Sequence, residues 1–178
     1  MPERLYGLKP FIYEGAEVLI LGSMPSVASL QQGFYYGHPQ NRLWHILGLL
    51  SGTDDLARQS IPVKQSIARF LKVAFFDVIR SCERTGSLDS AIRAPEPEDI
   101  AALLELHPSV KRIILNGGLA KKLFFKFNDA GAFKAEIYSL PSTSPANAAW
   151  SLDKLYPLYR SVILSEQAPP ELRYLPEA

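Results

Sequence analysis

Residues 34–44 read FYYGHPQNRLW, with three consecutive aromatics, a glycine, a histidine, a proline, an amide and an arginine inside eleven positions. Phe34, Tyr35 and Tyr36 offer flat faces to a planar ring, and the amide of Asn41 both donates and accepts hydrogen bonds at that ring's edge. Any one of these aromatics taken alone reads as packing for the loop, but clustered beside Asn41 they describe a pocket for a heterocycle. A second stretch, PSTSPAN (141–147), holds three hydroxyls, two prolines and an amide. That composition suits a stiff loop presenting N–H groups and hydroxyls to a phosphate, and it suits equally a turn followed by a helix N-cap. Asp77 ends an apolar run, where it serves as an acceptor for a ring N–H, a catalytic carboxylate or a strand cap.

Other chemistries fit poorly. The GSMPS loop (22–26) lacks the lysine and glycine spacing of a P-loop or a dinucleotide fingerprint, which excludes the usual phosphate cradles. No GxSxG elbow supports a Ser–His–Asp hydrolase. His38, His45 and His107 have no ligand-type pairing, and the single cysteine, Cys82, cannot build a thiolate metal site or a disulfide framework. Cys82 reads as a small buried residue of a chain kept in a reducing compartment, so a cytoplasmic location is expected. With 19 basic against 18 acidic residues, net charge +1, any polyanion must be met by a local patch. The N-terminal MPERLYGLKP has no signal-peptide core and no run reaches the length of a membrane span, so no membrane partner is expected.

The elements that must position these residues follow from apolar runs. AEVLILG (16–22), KVAFFDVI (72–79), VKRIILNGG (110–118) and AEIYSLP (135–141) read as four strands buried on both faces. Between and after them, 41–52, 95–106, 118–127 and 150–164 carry helical spacing, with Gly52 as a stop and Pro157 as a kink or late start. Alternating strands and helices predict a three-layer α/β/α domain around a four-stranded parallel sheet, with QAPPELRYLPEA (167–178) as an extended tail. In such a fold ligands sit beyond the carboxyl ends of the strands. The loops 22–41, 77–87, 116–118 and 140–150 then open on one rim.

GSMPS (22–26), GFYYGHPQNRLW (33–44) and LPSTSPANAAW (140–150), joined in order by FDVIRSC (76–82) and IILNGG (113–118), resemble the signatures of the hypoxanthine-DNA glycosylases, also called DNA-deoxyinosine glycosylases, a branch of the uracil-DNA glycosylase superfamily. The resemblance covers nearly the whole chain. It implies one glycosylase domain over 1–178, a monomer that needs no cofactor, and removal of a deaminated base, hypoxanthine first, from DNA. A uracil-directed or broad-specificity glycosylase and a non-catalytic DNA- or nucleotide-binding module are the alternatives. Two positions that often carry catalytic polar groups in the superfamily fall on Met24 and Leu140 here, neither of which can polarise water.

The resemblance therefore places the main catalytic amide at Asn41, with Asp77 in reserve. It puts the stacking face at Tyr36 and the rest of the base pocket at Gly22, Ser23, Met24 and Asn116. DNA contacts are expected from Ser26, His38, Arg42, Ser142, Thr143, Ser144 and Asn147, with a wedge from the 143–147 loop to help extrude the base. Arg42 could equally pair with a carboxylate on its helix.

Overall fold

The VLILG run forms a strand whose alternate side chains enter two different apolar clusters, Val18 and Ile20 on one face and Leu19 and Leu21 on the other. A strand wholly buried on both faces is what a central position in a layered α/β domain requires. The computed structural model describes residues 3–166, 168 and 170–174. In chain order the elements are β1 (Arg4–Tyr6), β2 (Val18–Gly22), α1 (Val27–Gln32), α2 (Leu43–Ser51), α3 (Ile61–Phe70), β3 (Val73–Asp77) and β4 (Ile79–Glu83). They continue with β5 (Arg93–Pro97), α4 (Ile100–Leu106), β6 (Arg112–Asn116), α5 (Gly118–Phe127), β7 (Glu136–Leu140), α6 (Leu152–Ile163) and β8 (Arg173–Tyr174).

The main sheet has the order β3-β2-β6-β7-β8, its first four strands parallel and β8 antiparallel to β7. The four expected strands are all present, but the sheet has five. Part of the expected tail supplies the fifth: residues 170–172 make a 3-10 turn and Arg173–Tyr174 pair with Tyr138 and Ile137. A two-residue strand is too short to show a period in sequence. Residues 167, 169 and 175–178 of the tail expectation lie outside the described residues. Helices α2, α3 and α6 contribute to one apolar layer and α4 and α5 to the other, so the three-layer architecture holds.

The expected strand 72–79 is two strands. β3 ends at Asp77, and β4 starts at Ile79 in a second, antiparallel sheet of order β1-β4-β5. The chain changes sheets at Val78, whose N–H donates to the Gly22 carbonyl (2.8 Å) while Ile79 N–H donates to the Ser23 carbonyl (3.2 Å). Apolar residues on both sides of Asp77 conceal such a switch, because Val78 and Ile79 are as buried as the residues of β3. The expected helix 95–106 likewise begins only at Ile100, capped by the Asp99 side chain on Ala102 N–H (3.0 Å). The residues before it, RAPEP, form β5 at the edge of the small sheet, where two prolines cost no ladder bonds. Helix α5 spans the expected 118–127, and α6 carries Pro157 inside it without a late start. Cys82 is fully buried, as expected.

Two helices escaped the sequence reading. α1 lies within the first loop, and α3 is announced by Ser60, whose hydroxyl accepts from Val63 N–H, and by Pro62 in its first turn. Strand order reverses around β2, whose neighbours β3 and β6 lie on opposite sides of it. The crevice beyond its carboxyl end is where this topology places a ligand.

Candidate active site

β2 and β3 end together, with Gly22 paired to Asp77 in the ladder. Beyond them a cavity of about 490 Å³ opens, within the usual range for a small-molecule site. Its lining comes from the 22–29 segment, Tyr35, Tyr36, His38 and Asn41, from Asp77, from 87–89, from Asn116 and from 142–147. The four loops expected on one rim thus all reach the cavity.

Gly22 is glycine because its neighbours leave no room. A Cβ there would stand 2.6 Å from Asp77 Oδ1 and 3.4 Å from the Tyr36 hydroxyl. Both side chains therefore converge on the strand end that forms the floor. Asp77 is 5% exposed, and its Oδ2 has no hydrogen-bond partner among the described residues. Burial raises its pKa from 3.8 to about 7; the Arg84 cation opposes the rise, and the negative charges of Glu98 and Asp89 add to it. A carboxyl that changes charge near neutral pH, with a lone pair unclaimed, is available for chemistry.

The aromatics of FYYG divide into two roles. Phe34 stacks on Trp44 (5.9 Å, 26°), and the Tyr35 hydroxyl donates to the Lys9 carbonyl (2.6 Å), so both anchor the loop in the core. Tyr36 alone turns toward the floor. Its backbone is left-handed (φ 54°), held by Gly37 N–H donating to Ser29 Oγ (2.9 Å) and by Gln32 Nε2 donating to the Gly37 carbonyl (3.0 Å). The half-buried ring packs edge-on against Phe75 (5.9 Å, 70°), and its buried hydroxyl has no partner among the described residues. Burial, with Asp77 beside it, pushes the phenol well above its ordinary value of 10.0, so it stays a neutral O–H donor.

Asn41 is nearly buried, and its Oδ1 accepts from Leu43 N–H (3.0 Å) at the start of α2. One lone pair of the oxygen is spent at the helix start and fixes the amide, and the NH2 is the donor it offers to the cavity. Asn116, at the end of β6, is tied at both ends to Thr143: its Nδ2 donates to Thr143 Oγ1 and its Oδ1 accepts from Thr143 N–H, each at 3.0 Å.

Several expected phosphate contacts have other partners. Thr143 is 0% exposed, and its hydroxyl is spent on Asn116, so it holds the loop rather than meeting solvent. Arg42 pairs with no carboxylate among the described residues. Its guanidinium donates to the carbonyls of Thr143 (2.9 Å), Ser144 (2.8 Å), Asn147 (3.2 Å) and Trp150, clamping the 142–150 loop onto α2. Ser26 caps α1 through Ser29 N–H (3.1 Å), and Ser142 Oγ accepts from Ser144 N–H (3.1 Å). Asn147 Nδ2 donates to the Ser142 carbonyl (3.1 Å), and His38 Nδ1 accepts from Gln40 N–H (3.1 Å). All of these residues still line the cavity except Arg42. Met24 lines it as well, whereas Leu140 is core, so the apolar substitutions expected at both positions have different consequences.

Sequence reasoning missed Arg84 and the 87–89 segment. Arg84 is 4% exposed and donates from Nη2 to the Pro25 carbonyl (2.6 Å), supporting the loop after β2 from beneath. An arginine directly following a buried strand was the available signal. Among the described residues, no three His, Cys, Asp or Glu side chains are grouped to hold a metal ion.

A heterocycle pocket that brings together the Asp77 carboxyl, the Asn41 amide and the Tyr36 phenol at the switch point of a parallel sheet has the makings of a base-excising hydrolase. Residues 10–163 match the family model described as the uracil DNA glycosylase superfamily, and the chain belongs to that superfamily. It is 32% identical over 148 residues to the hypoxanthine DNA glycosylase of Methanosarcina acetivorans, a match spanning 83% of this chain and 91% of that protein. It is 33% identical over 111 residues to the hypoxanthine DNA glycosylase of Methanosarcina barkeri, spanning 62% and 70% of the two chains. A solution NMR structure of a candidate uracil DNA glycosylase from Methanosarcina acetivorans superposes with a TM-score of 0.71 at 29% identity, covering 90% of this chain and 99% of that one. The chain is accordingly a DNA N-glycosylase, a hydrolase of DNA repair. No helix among the described residues is long and apolar enough to cross a membrane.

Proposed function

We propose that the chain excises hypoxanthine from deoxyinosine in DNA, acting as a monomer in base excision repair. The observation that carries this reading is the donor and acceptor at the pocket floor. Asn41 offers its NH2 as a donor while its oxygen holds Leu43 N–H, and Asp77 has an unclaimed carboxylate oxygen. Deamination replaces the amino donor and ring-nitrogen acceptor of adenine by a carbonyl acceptor and an N–H donor. Asn41 then donates to the carbonyl and ionised Asp77 accepts from the ring N–H. Adenine meets the same pair donor to donor and acceptor to acceptor, which leaves buried polar groups unpaired. The hypoxanthine DNA glycosylases named above, similar over most of the chain, support the purine over the pyrimidine.

The scissile C–N bond breaks as negative charge grows on the departing purine and positive charge on the sugar, and water adds to the sugar carbon. A preorganised donor such as the Asn41 NH2 is worth on the order of 3 kcal/mol against the developing charge. Met24, where water activation is usual in the superfamily, contributes none. A carboxyl poised near 7 is fit to read the N–H or to take a proton from the attacking water. The two roles part in Asp77→Asn: the first predicts loss of base discrimination, the second loss of rate on every base. Ser26, His38, Ser142, Ser144 and Asn147 remain the proposed contacts to phosphate, with Arg42 and Thr143 stiffening the loop that carries them.

Duplexes bearing one hypoxanthine, uracil, xanthine or normal base, incubated with the protein and then cleaved at abasic sites with alkali, test the reading. Scission at hypoxanthine above the others is expected. A uracil-only signal would overturn the purine assignment, and binding without scission on any duplex would leave a non-catalytic module.

A further inference from the structure

Leu88 is 61% exposed and lines the mouth of the cavity. A lone exposed leucine carries no information. Its setting does, because both neighbours are fastened to the segment that forms the base pocket. Ser87 Oγ accepts from Val27 N–H (2.8 Å), and Asp89 Oδ1 accepts from Ser23 Oγ (2.9 Å). Leu88 itself is extended (φ −71°, ψ 134°), and its carbonyl accepts from Ala91 N–H (3.0 Å), which closes a 3-10 turn at 89–91 behind it. The side chains on each side thus tie this segment to the pocket loop while the isobutyl group projects without cover.

Across the mouth, the 143–147 loop, expected to supply a wedge, has only Pro145 and Ala146 as apolar side chains; Thr143 is bonded to Asn116 at the end of β6, and Asn147 to the Ser142 carbonyl. Neither Pro145 nor Ala146 reaches far. Leu88 is the large exposed apolar side chain among the described residues that line the cavity.

We propose that Leu88 is the wedge that enters the base stack as the damaged nucleotide is extruded, held at the mouth by the Ser87–Val27 and Asp89–Ser23 hydrogen bonds. Resting on the glycosylase reading above, this assigns to the β4–β5 loop the step of holding the duplex open. Extrusion empties a space between two base pairs that would otherwise close, and an aliphatic side chain inserted there offsets the lost stacking. The same insertion removes the leucine from water. The hydrogen bonds on either side set its reach, because a free loop would lose the ordering gained on insertion.

Single-turnover excision of hypoxanthine by the wild type and by Leu88→Ala, on a duplex and on the same strand alone, tests the assignment. The expected result is a loss of roughly tenfold on the duplex, the scale of burying one aliphatic side chain, against a much smaller loss on the single strand, which has no gap to hold. In parallel, 2-aminopurine placed beside the lesion should brighten on wild-type binding and not on binding of Leu88→Ala. Equal loss on both substrates, or no loss on either, would overturn the wedge. Should the wild type excise nothing, the glycosylase reading fails and the fluorescence decides alone: a rise confined to the wild type supports insertion, and equal signals refute it.

Discussion

Replacing Asp77 by asparagine is expected to make the protein more stable as pH rises while reducing its function. Moving the carboxyl from 3.8 to about 7 makes its ionised form about 4 kcal/mol less favourable in the folded chain, at roughly 1.4 kcal/mol for each pH unit. Below about pH 4 the group is protonated in both states and imposes no cost. Between about pH 4 and 7 the unfolded chain gives up the proton and the folded chain keeps it, so stability falls with rising pH. Above 7 the full penalty is present. Asparagine does not titrate, so the stability of Asp77→Asn relative to the wild type should climb by up to about 1.4 kcal/mol per pH unit across that window and then level off. Other groups titrate in both proteins and cancel. For a chain of this size each kcal/mol moves the melting temperature by about 2–4 °C. Thermal melts of both proteins from pH 4 to 9 read this difference directly, whatever fixed offset the buried amide adds. A difference that stays constant with pH would refute the account of Asp77 as a desolvated carboxyl. Excision by the wild type should rise with pH through about 7, where Asp77 ionises, and the variant should lack that inflection.

Asn41→Asp keeps an oxygen to accept Leu43 N–H and removes the NH2 donor, so turnover should fall about 10²-fold or more with no loss of melting temperature. Asn41→Ala would confuse the two effects by removing the acceptor of Leu43 N–H as well, at about 1 kcal/mol. Gly22→Ala drives a methyl group to 2.6 Å from Asp77 Oδ1 and should abolish excision while far-UV circular dichroism stays native. Arg42→Lys cannot reach four carbonyls at once. It should cost about 1–3 kcal/mol in denaturant unfolding and weaken DNA binding by loosening the 142–150 loop, measurable by fluorescence anisotropy.

Arg42 and Leu88 mark where legibility in the sequence ended. The cation beside an amide in a polar loop read naturally as a phosphate contact, because sequence records charge and not what consumes it. Only the folded chain brings four carbonyls from a hundred residues away around the guanidinium. Leu88 had no signal at all: an isolated leucine between polar residues becomes notable only when its neighbours bond to residues some sixty positions earlier.

The apolar runs determined the four parallel strands and the loops that must carry function, since burial on both faces demands continuous apolar sequence and a parallel sheet puts all carboxyl ends on one edge. The quoted motifs determined the family. Tertiary structure decided what periodicity cannot express. It broke the run 72–79 at Val78, where the chain passes from one buried sheet to another, and so set Asp77 at a strand end opposite Gly22. It divided FYY into two core anchors and one floor residue. It fixed the Asn41 amide at a helix start and left a carboxylate oxygen of Asp77 unpartnered. Hydrogen bonding and desolvation between distant segments govern each of these outcomes, and a linear chain does not specify them until it has closed on itself.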